Sequence, residues 1–315
     1  MSGANTNETG SYDPKPEGWS FLQSRRAVQA LADTLTDWRP HVVAGIGTDT
    51  ALLAMLAAER AGIRQRLAIV TERFDGSTAA AEMSWRKTFA ASTSAVFFNG
   101  DDRQFALRSG VLPASLASFA VPGHGLDLNT QSALPLPPIE DGLVFLLHAP
   151  PGQRTAMIEA AAALTAAHPN VRVLLAAMSL RKDQILPARA AAADPSCDGV
   201  AIESGALRAC LAQCHVYVHI PNSDGFASGV QAALAAGRPV ITTNTPGCRD
   251  TVDDAVNGCL VEPGSIADLV QAMRLFASRP DLIKTAARAS RLKAERRFDQ
   301  RDITQQWLEV LALTP

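Results

Sequence analysis

Short runs that are apolar at every position recur along this chain, each separated from the next by a stretch with helical periodicity. LVFLLH (143–148), VRVLLAA (171–177), VYVHI (216–220) and PVITT (239–243) are the clearest. A strand with no polar alternation must be covered on both faces, and helices flanking a parallel sheet supply that cover. Alternating strands and helices along most of the chain therefore predict an α/β protein with parallel sheets. None of the runs reaches the roughly 20 apolar residues that would span a bilayer.

The same pattern divides the chain. Helix 18–37, strand 41–46, helix 50–61, strand 66–70, strand 95–98, helix 101–109 and strand 118–123 form a first block, with 71–94 left unassigned. NTQSALPLPPIEDG (129–142) is rich in proline and polar residues and reads as a linker. A second block follows, with strands at 143–148, 171–177, 199–202, 216–220, 239–243 and 258–262. Its helices are placed at 153–167, 205–213, 226–236, 248–254, 266–277 and 280–296, and a last helix at 301–312 closes the chain. The expected organisation is a disordered tail over 1–17, a first Rossmann-like domain over 18–128, the linker 129–142 and a second Rossmann-like domain over 143–295. Segment 296–315 is expected to close back towards the first domain, and ligands to lie in a cleft between the two.

Composition removes several classes. With 315 residues and 47% hydrophobic residues the chain can build sizeable cores, and 19% charged residues is too few for a disordered protein. A net charge of -2 gives no electrostatic case for nucleic acid. Five cysteines, odd in number and without a CxxC pair, suit reduced thiols in the cytoplasm. The polar start, MSGANTNETGSYDPKPEGWS, has the form of neither a signal peptide nor a membrane anchor. There is no GxGxxG fingerprint after a strand and no Walker loop, and GIGTDT (45–50) reads as a plain tight turn.

The stretch DGFASGVQAALAAGRPVITTNTPGCRDTVDDAVNGCLVEPGSIADLVQAM (224–273) resembles the carboxy-terminal domain of retaining glycosyltransferase family four. RPHVV (39–43), VFFNGDDRQFALRSGVLPASLASFAVPGHGLDL (96–128) and RRFDQRDITQQWLEVL (296–311) are similar to further parts of that family, so the likeness covers roughly 20–312. It implies the GT-B architecture with a nucleotide-sugar on the second domain, and a first domain truncated at its amino-terminal end. The activity implied is sugar transfer with retention to a glycan or lipid-linked acceptor, in surface-polysaccharide biosynthesis. The setting would be cytoplasmic or peripheral at the inner membrane face. No metal or other cofactor is expected, and no transmembrane segment. A protein partner that completes the shortened first domain is a further expectation.

Such chemistry needs cations or backbone amides where the diphosphate departs, and carboxylates that orient sugar and ribose hydroxyls. Of the two acidic positions that the resemblance implies, the first falls on Asp224 and the second on Ala232, which cannot accept a hydrogen bond. HAPPGQR (148–154) offers His148 and Arg154 where the family has an arginine and a lysine. Losing three charge-assisted bonds removes about 5–9 kcal/mol, as much as the roughly 8 kcal/mol that holds a micromolar ligand. Substitutes are available. Gly225, Phe226, Ser228 and Gly229 lie around the start of helix 226–236, whose free amides favour phosphate, or which is simply a capped helix start. Gly247 and Arg249 precede helix 248–254, Arg249 meeting a phosphate or pairing with Asp250 or Asp253. Lys182 is a further cation after a strand. His124, between glycines, is a general base or a turn residue. His215 and His219 are packing residues or the start of a metal site. Two functions stay open here: an active transferase with Asp224 orienting the donor, and a catalytically silent relative serving as partner subunit or binding module.

Overall fold

The computed structural model describes residues 21–71, 78–149, 153–178, 197–202, 207–222 and 227–313. The chain forms two compact units: one runs up to Val121 and includes the segment from Glu309, the other is Pro122–Leu308. No helix among the described residues is long and apolar enough to cross a membrane.

The first unit is built on four parallel strands in chain order: β1 (Val42–Ile46), β2 (Gln65–Val70), β3 (Ser94–Phe97) and β4 (Ala117–Ala120). The crossover helices are α2 (Thr48–Arg60), α3 (Ala79–Ala91) and α4 (Gly100–Arg108). Sequential parallel order with right-handed crossovers places all three on one face. Ala51 and Met55 of α2, Trp85 and Phe89 of α3 and Ala106 of α4 accordingly share one core with Ala68, Val70, Ala95 and Phe97. Helix α1 (Phe21–Trp38) packs against α2 through Val28, Ala32 and Leu35. Gly45 lets α2 come this close: a methyl group there would lie 2.6 Å from the Ala51 Cα.

Helix α3 occupies the stretch left unassigned in the sequence. Thr78 caps it by accepting a hydrogen bond from the Ala81 amide at 3.1 Å, and Trp85 and Phe89, one turn apart, stack at 5.3 Å. In NGDDR, Asn99 caps α4: its carbonyl accepts from the Asp102 amide at 2.8 Å while its amide donates to the Asp102 carboxylate at 2.6 Å.

The second unit carries a six-stranded parallel sheet in the order β10-β9-β8-β5-β6-β7. These strands are β5 (Leu143–Ala149), β6 (Val171–Met178), β7 (Cys197–Ile202), β8 (Val216–His219), β9 (Val240–Thr243) and β10 (Gly258–Val261). Its helices are α5 (Arg154–Ala167), α6 (Leu207–Gln213), α7 (Ser228–Ala235), α8 (Ile266–Ser278), α9 (Asp281–Arg297) and α10 (Gln300–Leu313), which runs on into the first unit. Every residue of β5 is buried, and its side chains alternate between two cores. Leu143, Phe145 and Leu147 face α5 and α8; Val144 and Leu146 face α6, α7 and α9.

The proline-rich stretch near 131–135 is held against this unit by three arginines. Arg291 donates to Gln131 O at 2.8 Å, Arg208 to Ser132 O at 3.0 Å, and Arg238 to Leu134 O at 3.0 Å and Pro135 O at 2.8 Å. Carbonyls outside any ladder need donors, and arginine supplies five from one group. Helix 248–254 of the sequence reading is corrected to a single 3-10 turn, Arg249–Thr251. The chain leaves it at once because Asn257 binds the Asp253 amide (2.6 Å) and Thr251 O (3.1 Å), folding 252–257 into a turn that starts β10.

Candidate functional site

Sheet order locates the site. From β5 the chain moves outward to β6 and β7, then returns to the other side of β5 for β8, β9 and β10. Where a parallel sheet reverses its winding, the loops leaving neighbouring strands diverge to opposite faces and open a crevice at the carboxyl ends. Here the reversal lies between β5 and β8. The first unit, wound in strict order among its described strands, has no such point.

Polar side chains gather at that edge on the face covered by α7. His148 ends β5 next to Ala149, and His219 ends β8; the His219 Nδ1–H donates to His148 O at 3.0 Å, with ring centroids 5.0 Å apart. Thr242 of β9 is in register with His219. Its hydroxyl is buried without a hydrogen-bond partner among the described residues. Beneath this row lies Tyr217, fully buried, whose hydroxyl meets His148 Nδ1 at 2.5 Å. His148 is 6% and His219 8% exposed.

Helix α7 closes over the cluster. Ala227, left-handed at φ 49°, turns the chain into the helix, with Ser228 as its first residue. Gly229 touches the polar pair directly: a methyl there would lie 2.6 Å from the Tyr217 hydroxyl and 3.3 Å from His148 Nδ1. The free amides of a first helical turn and two imidazoles thus share one edge, an arrangement suited to an anion. Across the loop after β9, Gly247 takes φ 82°, and Arg249 donates to Asn244 Oδ1 at 2.7 Å and Asn244 O at 3.1 Å. Asn244 in turn donates to Glu262 at 3.1 Å. Asp253, one of the two acids considered as a mate for Arg249, takes Lys293 at 2.7 Å.

Of the residues singled out in the sequence, His148 lies at the carboxyl end of β5, and Ser228, Gly229, Gly247 and Arg249 follow β8 and β9 on the carboxyl side. Arg154 opens α5 after β5, on the other face. Asp224, Gly225, Phe226 and Lys182 lie outside the described residues. Ala232 packs against the α7-side core. His124 is exposed in the turn 122–127, its Nδ1 2.8 Å from Gly125 O, and that turn lies against the start of α10 through the bonds Leu126 N–H to Phe298 O (2.7 Å) and Gln300 N–H to Leu126 O (2.9 Å). His215 sits at the opposite end of β8 from His219. Its Nδ1 accepts from the Val144 amide at 3.0 Å, its Nε2 faces Pro137 O at 3.2 Å, and burial pushes its pKa down. No group of three His, Cys, Asp or Glu suited to a metal occurs among the described residues. Tyr217 and Thr242 were missed. Tyr217 and His219 alternate within an apolar strand, a visible signal, but the register that brings them to His148 is a property of the sheet.

Residues 155–293, inside the second unit, match the family model of glycosyl transferases group 1. No curated protein matches the chain by sequence. Among solved structures, HepE of Anabaena in complex with UDP and glucose is similar at TM-score 0.75 and 17% identity, over 95% of this chain and 84% of that one. A glycosyltransferase of Rickettsia africae is similar at 0.74 and 14% identity, covering 95% and 83%. Sucrose-phosphate synthase of Thermosynechococcus elongatus gives 0.74 and 17%, covering 97% and 81%. The fold is that of GT-B glycosyltransferases, with two parallel-sheet Rossmann-like halves.

Proposed function

We propose that this chain transfers a sugar from a nucleotide-sugar to a glycan or lipid-linked acceptor, with the donor's diphosphate seated at the carboxyl edge between β5 and β8. The supporting observation is the switch point itself, occupied by the first turn of α7, His148, His219 and Thr242. The family match over 155–293 takes in β8, α7 and β9 of this edge, and a fold relative was solved with UDP and glucose. In this reading α7 amides and His148 take the phosphates, Arg249 and Arg154 add positive charge, and Asp224 orients the sugar. Departure of the nucleoside diphosphate leaves a cation-like sugar, and hydrogen-bond donors already in place on the leaving group lower that barrier. Retention of configuration and a role in surface-polysaccharide assembly belong to the same proposal.

Ala232 favours a second reading, a silent relative that keeps the fold as a partner subunit, because an alanine packed in the core offers nothing to a ribose hydroxyl. Thermal-shift and calorimetric titration with UDP and GDP sugars separates the two, with Asp224→Ala as control. Stabilisation by donor, and slow donor hydrolysis lost in Asp224→Ala, supports transfer; millimolar donor that leaves Tm unchanged refutes it.

A further inference from the structure

We propose that the chain self-associates through the outer edge of β1. Two copies pair their β1 strands antiparallel about a two-fold axis and join their four-stranded sheets into one. The interface belongs to the first unit alone and does not depend on the functional reading above.

The register with β2 shows which backbone groups of β1 are already used. Pairing runs from Val42↔Gln65 to Ile46↔Ile69, and the Gly47 N–H donates to Ile69 O at 3.1 Å. Backbone groups alternate in direction along a strand, so Val43, Gly45 and Gly47 bond β2. Val42, Ala44 and Ile46 therefore turn both N–H and C=O to the open edge. No hydrogen bond among the described residues reaches them there. Ala44 is exposed, and Ile46 is 54% exposed. The edge strands β4 and β10 are treated differently. On β4 the Arg103 Nε donates to Ser118 O at 3.1 Å. On β10 the Asp254 carboxylate accepts from the Leu260 amide at 3.0 Å, and the Ala255 amide donates to Gly258 O at 2.9 Å. Open edges template further strands, and proteins blunt them with charges, prolines or covering segments. VVAGI carries no charge and no proline.

The strand's own sequence fits a second copy. A two-fold axis at Ala44 sets Val42 of each copy against Ile46 of the other, and Ala44 against its counterpart. All three residues with outward groups then form hydrogen-bonded pairs. Their side chains share the sheet face opposite α2, so the smallest sits at the axis with an apolar pair on either side. No like charges meet there, because the strand has none. Continued three residues past each end of the strand, the same register brings Arg39 of one copy level with Asp49 of the other, twice by symmetry. Both side chains are exposed, and neither has an ion pair among the described residues. Moving the partner by two residues loses this match. Ile46 would then face Pro40, which has no N–H, or Val42 would face Thr48, already in α2. Charge complementarity and hydrogen-bond geometry select one register.

An edge of this length makes a small interface, below about 1,200 Å² in total, so the dimer should be reversible with Kd on the order of 10 µM. The test is sedimentation velocity on the full chain at low salt, from about 1 to 200 µM, a range that brackets such a Kd. The expected mass is that of one chain at the lowest concentration, rising towards two chains at the highest. Ala44→Lys sets two ammonium groups against each other at the axis and should weaken association at least about tenfold, with Tm little changed because the site is exposed. Ala44→Pro removes an outward N–H without touching a bond to β2 and should do the same. Asp49→Arg should weaken association by about three- to tenfold at low salt, two pairs being lost together. Adding Arg39→Asp to Asp49→Arg should restore it, a rescue that mere structural damage would not show. A one-chain mass across the whole range overturns the proposal. Association that survives Ala44→Lys overturns it as well, since another surface would then hold the copies. Failure of the double exchange to rescue Asp49→Arg overturns the register and the proposal with it. The wild-type series and Ala44→Lys decide the matter even if Ala44→Pro fails to fold.

Discussion

Arg238 is the side chain whose removal should cost this fold most for a single polar change. It is fully buried beside the Cys214 thiol and donates to carbonyl oxygens: Nε to Leu211 at 2.8 Å, Nη1 to Leu134 at 3.0 Å and Nη2 to Pro135 at 2.8 Å, with longer contacts to Ala236 and Gly237. Burial pushes its pKa down from the usual arginine range, yet nothing here brings it near neutrality. Arg238→Met keeps the aliphatic stem and deletes all five donors. Three strongly bonded carbonyls then lose their donor at about 1–2 kcal/mol each, a loss of roughly 3–6 kcal/mol. Relief from burying a charge offsets part of this, so the net cost should fall near about 3 kcal/mol. In a unit of this size that lowers Tm by about 6–12 °C. Arg238→Lys should recover less than half, since one ammonium cannot reach carbonyls on three sides of a planar fork. Differential scanning calorimetry reads both variants. If Arg238→Met melts within 1 °C of the wild type, the three-armed clamp on residues 134–135 carries no stability and the reasoning fails.

Gly229→Ala should weaken donor binding at least tenfold while shifting Tm by only a few degrees, because its methyl lands 2.6 Å from the Tyr217 hydroxyl; unchanged affinity in a titration would contradict the site. His215 is held below its usual 6.5 by burial, so the unfolded chain binds more protons there and stability must fall as pH drops below that value. His215→Asn, which keeps an acceptor for the Val144 amide, should flatten that loss in urea titrations between pH 5 and 7. Burial pushes the Cys214 thiol up to about 12, so iodoacetamide at pH 8 should leave it unmodified in the native protein, while Arg238→Met should expose it to alkylation detectable by mass spectrometry.

Much of this architecture is legible in residue order alone. Apolar runs such as LVFLLH and VYVHI can only be interior parallel strands, and the helices between them follow from periodicity, so the α/β class and both sheets were accessible before any coordinates. The exceptions have local causes. Helix α3 follows a stretch rich in small residues and owes its start to the Thr78 cap; the expected helix at 248–254 shrinks to a turn because Asn257 captures the chain.

The site divides along the same line. His148, Ser228, Gly229 and Arg249 stand out as polar or glycine residues after apolar strands, a pattern that linear reading can find. Their grouping with Tyr217, His219 and Thr242 could not be read that way. It depends on β8 pairing beside β5 across a sequence separation of 71 in the case of His219 and His148, and on a register that puts every second side chain under α7. Strand identity is written in local composition, whereas strand neighbours are chosen by long-range packing. The chemistry at this edge exists only once that choice is made.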